Sequence, residues 1–218
     1  MEHAVGVVEH LADRDPPGGD FGAVEVDAAG RVARAAVGFG RELAPGETTT
    51  PYLFAGIHLL GPAVFDVLPA SGAPCVNRQG HAELIRRGLL VHPHVDGGGY
   101  FSDVGTPERY LAAQLDILEG RIDRAAIGDP LAGAIERSPG VFVDSTATVA
   151  AGARLEAPCY VGAFARVGAG ARLRRAAVLA GSSVDGEVGD AAVVLGAHVA
   201  AGERLEAAVR GPDGDLPV

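Results

Sequence analysis

The segment GYFSDVGTPERYL, residues 98–110, contains an acidic side chain, Asp103, whose position could serve chemistry. Asp103 lies in a turn with three glycines and a serine, just before the predicted start of a helix. A carboxylate in such a turn is either a solvated loop acid or a ligand for a metal ion. The rest of the sequence is needed to choose between these two interpretations.

A helix is predicted directly after this turn. Thr106 can cap its amino end, Pro107 suits its first position, and Glu108 suits the positive end of the helix dipole. Leucines then recur at helical spacing up to a glycine that ends the helix: Leu111, Leu115, Leu118 and Gly120. Because the apolar run LLVHPHV precedes the turn, Asp103 is predicted to lie between a strand and a helix.

The composition restricts the class of protein. The chain has 218 residues and a formal net charge of −10, and all 18 basic residues are arginine. An acidic chain is unsuited to nonspecific nucleic-acid binding. The sequence shows no signal peptide and no apolar run that could span a bilayer, so we expect a cytoplasmic protein without a membrane partner. Cys75 and Cys159 match no metal or redox spacing and are expected to be reduced thiols.

A six-residue period begins at Val143. Aliphatic residues recur at one position, and small residues recur four positions later: Val143, Val149, Leu155, Val161, Val167 and Leu173, then Ala147, Ala153, Cys159, Ala165, Ala171 and Ala177. Such a period is typical of a chain in which three short strands close one triangular coil of about 18 residues. The aliphatic residues are predicted to fill the interior of the coil, and the small residues to lie beside them in the interior. Residues 141–209 resemble the left-handed β-helix of hexapeptide-repeat proteins, and about four coils are expected.

Residues 1–120 contain signals for several strands and short helices. FGAVEVDAAGRVARAAV predicts a hairpin, TPYLFAGIHLL and LLVHPHV predict strands, and PAVFDVLP and HAELIRRGL predict helices. We therefore predict an α/β domain over residues 1–120, a linker with a short helix over residues 121–140, the β-helix over residues 141–209 and a tail over residues 210–218.

The order of these elements resembles the later half of the catalytic domain of sugar-1-phosphate nucleotidyltransferases, also called NDP-sugar pyrophosphorylases. The resemblance covers most of residues 18–118 and rests on FGAVEVDAAGRV, YLFAGIHLL, CVNRQGHAELIRRGLLVHPHV and GYFSDVGTPERYLAAQLDIL. Hexapeptide repeats follow, as they do in mannose-1-phosphate guanylyltransferase-like members. The resemblance implies an incomplete Rossmann-like α/β domain followed by an all-β left-handed parallel β-helix.

The resemblance also assigns a reaction and site residues. A nucleoside triphosphate and a sugar 1-phosphate would give an NDP-sugar and pyrophosphate. Asp103 matches the aspartate that binds Mg²⁺ beside the phosphates, and no other catalytic residue is expected in this chain. Gly22 and Gly56 match positions where the backbone approaches the sugar, although either glycine could instead serve a turn or strand packing.

The sequence departs from this family in several places. It lacks the glycine-rich nucleotide loop and the second metal-binding aspartate, and ARAAVGFGREL stands where a Glu-Lys-Pro that contacts the sugar is usual. We therefore expect a truncated or split form that is inactive alone and forms a homo-oligomer or associates with a homologous subunit. Two alternatives remain open: a non-catalytic regulatory or scaffolding homologue, and a hexapeptide-repeat acyltransferase that uses His198.

Overall fold

A computed structural model describes residues 3–8, 23–35, 38–96 and 100–218. Contacts within the chain divide it into two compact units, residues 1–101 and residues 102–218. The first unit contains a mixed β-sheet, and the second contains a parallel β-solenoid of about 4 turns.

Six strands form the sheet of the first unit: β1 (His3–Val8), β2 (Ala23–Asp27), β3 (Val32–Ala35), β4 (Phe39–Gly40), β5 (Thr49–Leu59) and β6 (Val91–Asp96). Their order across the sheet is β4-β3-β2-β5-β1-β6. Only the β1–β6 pair is parallel among the described strands of this sheet, and the other pairs are antiparallel. The sheet is therefore mixed and mainly antiparallel.

The predicted hairpin is formed by β2 and β3. The carboxylate of Asp27 accepts hydrogen bonds from the backbone N–H groups of Ala29 and Arg31, each at 3.0 Å. Gly30 has a φ of +74°, a conformation that glycine adopts without the steric penalty of a side chain. A side chain that binds its own turn and a glycine in the left-handed region thus fix the direction of the chain between the strands.

Short helical segments cover one face of this sheet. They are a 3₁₀ turn (Pro62–Val64) and a π-helical turn (Val76–His81) that continues into α1 (Ala82–Arg86). Buried residues of the strands and helical segments form a common core: Val24, Val26, Val32, Ala35, Phe39, Val64, Leu84 and Val91. Because the sheet is mixed and the described helices of this unit are few and short, the Rossmann-like α/β domain predicted for residues 1–120 is not confirmed.

The second unit begins with α2 (Pro107–Leu118) and a 3₁₀ turn (Arg124–Ile127). Its strands are β7 (Ala134–Ser138), β8 (Val141–Asp144), β9 (Thr148–Val149), β10 (Arg154–Val161), β11 (Arg166–Val167), β12 (Arg172–Val178), β13 (Ser183–Val184), β14 (Glu187–Val193), β15 (His198–Val199), β16 (Arg204–Gly211) and β17 (Gly214–Pro217). They form two sheets, ordered β17-β16-β14-β12-β10-β8-β7 and β15-β13-β11-β9.

The long strands of the solenoid bend at one corner. Arg175, Asp190 and Ala207 occupy equivalent positions on β12, β14 and β16 and have φ values of +48°, +44° and +48°. A single residue in this left-handed conformation turns the strand while neighbouring coils stay paired on both sides of the corner. Each of these coils therefore contains two straight segments from a long strand and one from the short-strand sheet, in agreement with the predicted coil of three strands.

Coil length changes along the solenoid. Val149, Val167, Val184 and Val199 stack in register, which gives successive spacings of 18, 17 and 15 residues. The shortest coil has only Asp185 and Gly186 between β13 and β14. The shorter corners shift the phase of the six-residue pattern in the later coils, because the strands stay aligned while the corners contain fewer residues.

The interior of the solenoid is aliphatic. Its buried residues include Val143, Val161, Val167, Leu173, Val178, Val184, Val188, Val193, Val199 and Leu205. Val161 and Val167 are 0% and 2% exposed, as the period predicts, and Val149 is partly buried against the same core. The interior position predicted for Ala177 is wrong, because the one-residue corner at Arg175 places Ala176 in the core instead.

Ala177 belongs to a second cluster on the outside of the solenoid. Ala177, Ala192 and Val209 are aligned on neighbouring strands, and they pack with leucines of α2: Leu111, Leu115 and Leu118. Small residues on this face allow the helix to lie close to the strands. The helix that carries the GTPERYL segment thus belongs to the same compact unit as the solenoid.

Both ends of the larger solenoid sheet are closed by hairpins. β7 pairs antiparallel with β8 at one end, and β17 pairs antiparallel with β16 at the other. An unpaired strand edge is a template for association with another chain. The two hairpins therefore protect the edges of the parallel strands on this sheet.

Candidate functional site

Asp103 lies in the turn before α2, where the sequence places it. Thr106 is the N-cap of α2, and its hydroxyl accepts a hydrogen bond from the backbone N–H of Arg109 at 3.3 Å. Asp103 Oδ1 accepts from the backbone N–H of Gly105 at 3.0 Å. These two bonds hold the turn locally, and the side chain of Asp103 is exposed.

The charge of Asp103 is not neutralised by an arginine of the described segments. Mg²⁺ commonly takes one or two protein carboxylates and completes its shell with water and substrate phosphates. An exposed carboxylate with one oxygen outside the local turn fits that role. The described residues contain no group of three or more His, Cys, Asp or Glu side chains that could hold a metal ion.

Of the two glycines predicted to approach the sugar, the structure describes only Gly56. Gly56 lies in β5 with a φ of +74°, where the pairing with β1 shifts between Val5 and Val7. It is exposed, and a side chain there would meet no atom within 4 Å. Gly22 lies outside the described residues. Gly56 belongs to the first compact unit and Asp103 to the second.

Arg41, in the segment ARAAVGFGREL, forms an ion-pair network. Arg41 Nη2 lies 2.5 Å from Glu47 Oε1 and 3.1 Å from Asp27 Oδ2. The hydrogen bond from Arg41 lowers the pKa of Glu47 to about 2. Glu42, the residue next to Arg41, is exposed. The ion pairs of Arg41 therefore connect the β2–β3 hairpin, through Asp27, to the loop before β5, through Glu47.

A pair of histidines in the first unit was not predicted from the sequence. Nδ1 of His58 lies 3.0 Å from Nε2 of His81, and the two rings stack with centroids 5.1 Å apart. His81 is fully buried and also packs against Phe39, while His58 packs edge-on against Phe54. The polar ring of His58 within the apolar strand TPYLFAGIHLL is the signal that could have identified this pair.

Acidification is expected to destabilise the first unit through His58. Burial lowers the pKa of His58, so the folded state binds fewer protons than the unfolded state as the pH falls through the ordinary value of about 6.5. The stability that depends on neutral His58 is present above pH 6.5 and is lost as the pH falls from there toward the lowered pKa. Thermal unfolding measured from pH 8 to pH 5 should show a falling Tm in the native chain.

His58→Gln is expected to flatten this dependence of Tm on pH, because glutamine does not titrate. His94→Gln is the matched control, since His94 is an exposed histidine on β6 of the same unit. Equal pH profiles for the native chain and His58→Gln would contradict the prediction.

The two cysteines are free and have different environments. Backbone hydrogen bonds from Arg78, together with its side chain and the backbone N–H of Asn77, lower the pKa of the Cys75 thiol. Cys159 is 0% exposed in the solenoid core, and this burial raises its pKa to about 12. The environment of Cys75 favours the nucleophilic thiolate, and that of Cys159 disfavours it.

Cys75 is therefore expected to react with Ellman's reagent at pH 7.5 at least about tenfold faster than Cys159. The measurement is one rapid equivalent of released thionitrobenzoate in the native chain, with the second equivalent released only on unfolding. Cys75→Ser should remove the rapid phase, and Cys159→Ser should keep it. Two equivalents released at the same rate would contradict the prediction.

His198, the residue that an acyltransferase would use, lies on β15 with an exposed ring. Its Nδ1 is 2.8 Å from the hydroxyl of Ser183 on the neighbouring strand β13. The backbone N–H of Asp185, near this pair, is already bonded to the carbonyl of Val199. It is thus not available to stabilise the oxyanion of an acyl-transfer reaction.

Comparison of the chain with protein-family models and with curated protein sequences gives no match in either case. Among the helices of the described segments, none combines the length and the apolar composition needed to cross a membrane.

Proposed function

We propose that this chain takes part in nucleotidyl transfer to a sugar 1-phosphate. The observation that supports the proposal is the conformation of the Asp103 turn. The residues of the motif form an exposed carboxylate, a Thr106 cap and a helix that starts at Pro107, and the cap and helix follow the capping signals of the sequence. This arrangement presents a negative charge without an arginine partner in the described part of the chain.

In the proposed reaction, an oxygen of the sugar 1-phosphate forms a bond to the α-phosphorus of the nucleoside triphosphate. The bond from that phosphorus to the bridging oxygen breaks, and pyrophosphate leaves with the electron pair. Bound Mg²⁺ would neutralise phosphate charge in this step. Asp103 would hold the ion through its free oxygen, while the hydrogen bond from Gly105 fixes the direction of the carboxylate.

The solenoid supports the same family, and we propose that it is a left-handed β-helix of the hexapeptide type. Its core residues recur on parallel coils of 15 to 18 residues, and small residues fill the positions beside them. Family members of the guanylyl- and glucose-transferring types carry such a domain after the catalytic one. A solenoid by itself does not identify a reaction, so the proposal depends on Asp103.

The proposal is tested by complementation. The nucleotide-binding half of a homologous enzyme is supplied as a separate polypeptide, because the sequence lacks the glycine-rich nucleotide loop of that family. Pyrophosphate release is measured with Mg²⁺ and a panel of nucleoside triphosphates and sugar 1-phosphates. We expect release by the mixture to exceed the sum of the two polypeptides assayed alone. No release from a mixture that forms a stable complex would contradict the proposal.

A second candidate function is that of a non-catalytic regulatory or scaffolding subunit. The network around Arg41 favours it, because the segment that should contact the sugar is engaged with Asp27 and Glu47. Under this function the chain should form a homo-oligomer or bind a catalytic homologue, which sedimentation velocity would detect. Complex formation without a gain in pyrophosphate release would favour this second function over the first.

A further inference from the structure

The solenoid has a cavity of about 310 Å³ on the face formed by β9, β11, β13 and β15. It is lined by Thr148, Ala150, Arg166, Gly168, Ser183 and Asp185, and we call it the Arg166 cavity. All these residues lie in the second unit. Ligand pockets in proteins measure about 300–1,000 Å³, so the Arg166 cavity is at the small end of that range.

The cavity exists because small residues alternate with larger ones on adjacent coils. Arg166 and Ser183 are paired across β11 and β13, and they precede Gly168 and Asp185 by two positions on the same face. A methyl group at Gly168 would overlap Oδ1 of Asp185. Glycine at this position thus lets the Asp185 carboxylate lie over the strand and form one side of the cavity.

The two charged side chains of the Arg166 cavity have no ion-pair partner in the second unit. Arg166 and Asp185 form no ion pair with each other or with any other residue of 102–218, all of which are described. A second solenoid cavity, of about 180 Å³, contrasts with this one. There Arg174 lies 2.9 Å from Glu206, and Arg172 lies 3.8 Å from Glu187. The charges of the second cavity therefore neutralise one another, and those of the Arg166 cavity remain for a ligand.

The hydroxyl groups of the cavity indicate the chemistry of that ligand. The guanidinium of Arg166 can donate two parallel hydrogen bonds to a carboxylate or phosphate. Asp185 only accepts hydrogen bonds, and the Thr148 and Ser183 hydroxyls can donate or accept. The ring of His198, 2.8 Å from the Ser183 hydroxyl, restricts the orientation of that hydroxyl. The set matches a ligand with one anionic group and several hydroxyls.

We propose that the Arg166 cavity binds a small hydroxylated anion of about monosaccharide size. Arg166 binds the carboxylate or phosphate group, Asp185 accepts from ligand hydroxyls, and Thr148 and Ser183 bind the remaining hydroxyls. This site lies on the solenoid and does not depend on Asp103, so the inference is independent of the proposed function.

The experiment is calorimetric titration of the full chain at low ionic strength with D-glucuronate, D-glucose and D-glucose 1-phosphate. Both anions should bind saturably at one site, and neutral glucose should bind at least about tenfold more weakly because it lacks the charge-assisted contact. Backbone NMR shifts during the glucuronate titration should be centred on Thr148, Arg166 and Ser183. If neither anion binds saturably, or if the shifts lie elsewhere, the proposal is wrong.

Substitutions of the cavity residues provide a second test of the proposed binding site. Arg166→Gln should weaken glucuronate binding about tenfold or more, and Asp185→Asn should weaken it by a smaller factor. Arg154→Gln is the matched control, since Arg154 is also exposed and without an ion pair in residues 102–218 but does not line the cavity. Equal losses in Arg166→Gln and Arg154→Gln would overturn the proposal.

Discussion

Replacement of Gly186 by alanine is expected to lower the free energy of unfolding by about 3 kcal/mol. Gly186 lies in the two-residue corner of the shortest coil, and the added methyl group would overlap the carbonyl oxygens of Ala200 and Glu203. These are backbone atoms of the next coil, so no side-chain rotation can relieve the overlap. Either the corner or the adjoining coil has to shift, and the pairing of Glu187 with Arg204 is the nearest to be disturbed.

Gly211→Ala is the matched control for this substitution. A methyl group at Gly211 would have its nearest neighbour at 3.7 Å, which is an ordinary van der Waals contact. Gly211 also lies in the solenoid, at the end of β16. Guanidinium denaturation followed by circular dichroism should show a lower midpoint for Gly186→Ala and an unchanged one for Gly211→Ala. Equal midpoints for Gly186→Ala and the native chain would refute the prediction.

The solenoid illustrates how far a periodic sequence determines a fold. Core positions such as Val161 and Val167 are predicted directly, because each coil repeats the same environment. The inward position of Ala177 is predicted wrongly, because a single residue in the left-handed conformation at Arg175 replaces a two-residue corner. A deletion at a corner shifts the sequence phase without changing the strand alignment, and the side chain of Arg175 gives no sign of the conformation it adopts.

In the first unit, the local elements are predictable from the sequence but the architecture of the sheet is not. Its strands, hairpin and helical segments follow local signals such as the Asp27–Gly30 turn, and most are predicted. Its architecture depends on pairings between distant segments, such as the parallel pair of β1 and β6, which local patterns do not determine. Local patterns do not predict the contact between His58 and His81 either, because it joins a strand to a helical turn 23 residues later.

The Asp103 turn was predictable in its local structure because capping depends on near neighbours. Thr106, Pro107 and the leucines of α2 define the start and the direction of the helix. The chemical role of Asp103 depends on groups that are distant in sequence, which capping signals do not specify. The role therefore requires an experiment that keeps the turn and removes only the charge.

Asp103→Asn is expected to lower the pyrophosphate release gained on complementation by about 100-fold. Asparagine has nearly the same shape, and its side-chain oxygen can still accept the hydrogen bond from Gly105 that holds the turn. The negative charge that would bind Mg²⁺ is lost, and with it the positioning of the ion at the phosphates. Initial rates should be measured across a range of Mg²⁺ concentrations, because a weakened metal site shows partial recovery at high Mg²⁺.

Asp123→Asn is the matched control for this loss of charge. Asp123 is also exposed and also accepts a backbone hydrogen bond from the residue two positions later, Ala125, at 3.1 Å. It caps the 3₁₀ turn that follows α2 and lies outside the motif that carries the resemblance. Unchanged rates for Asp123→Asn and a 100-fold loss for Asp103→Asn would assign the effect to the metal site. If Asp103→Asn retains the rate of the native chain, Asp103 only stabilises the start of α2, and the second candidate function becomes the better account of the protein.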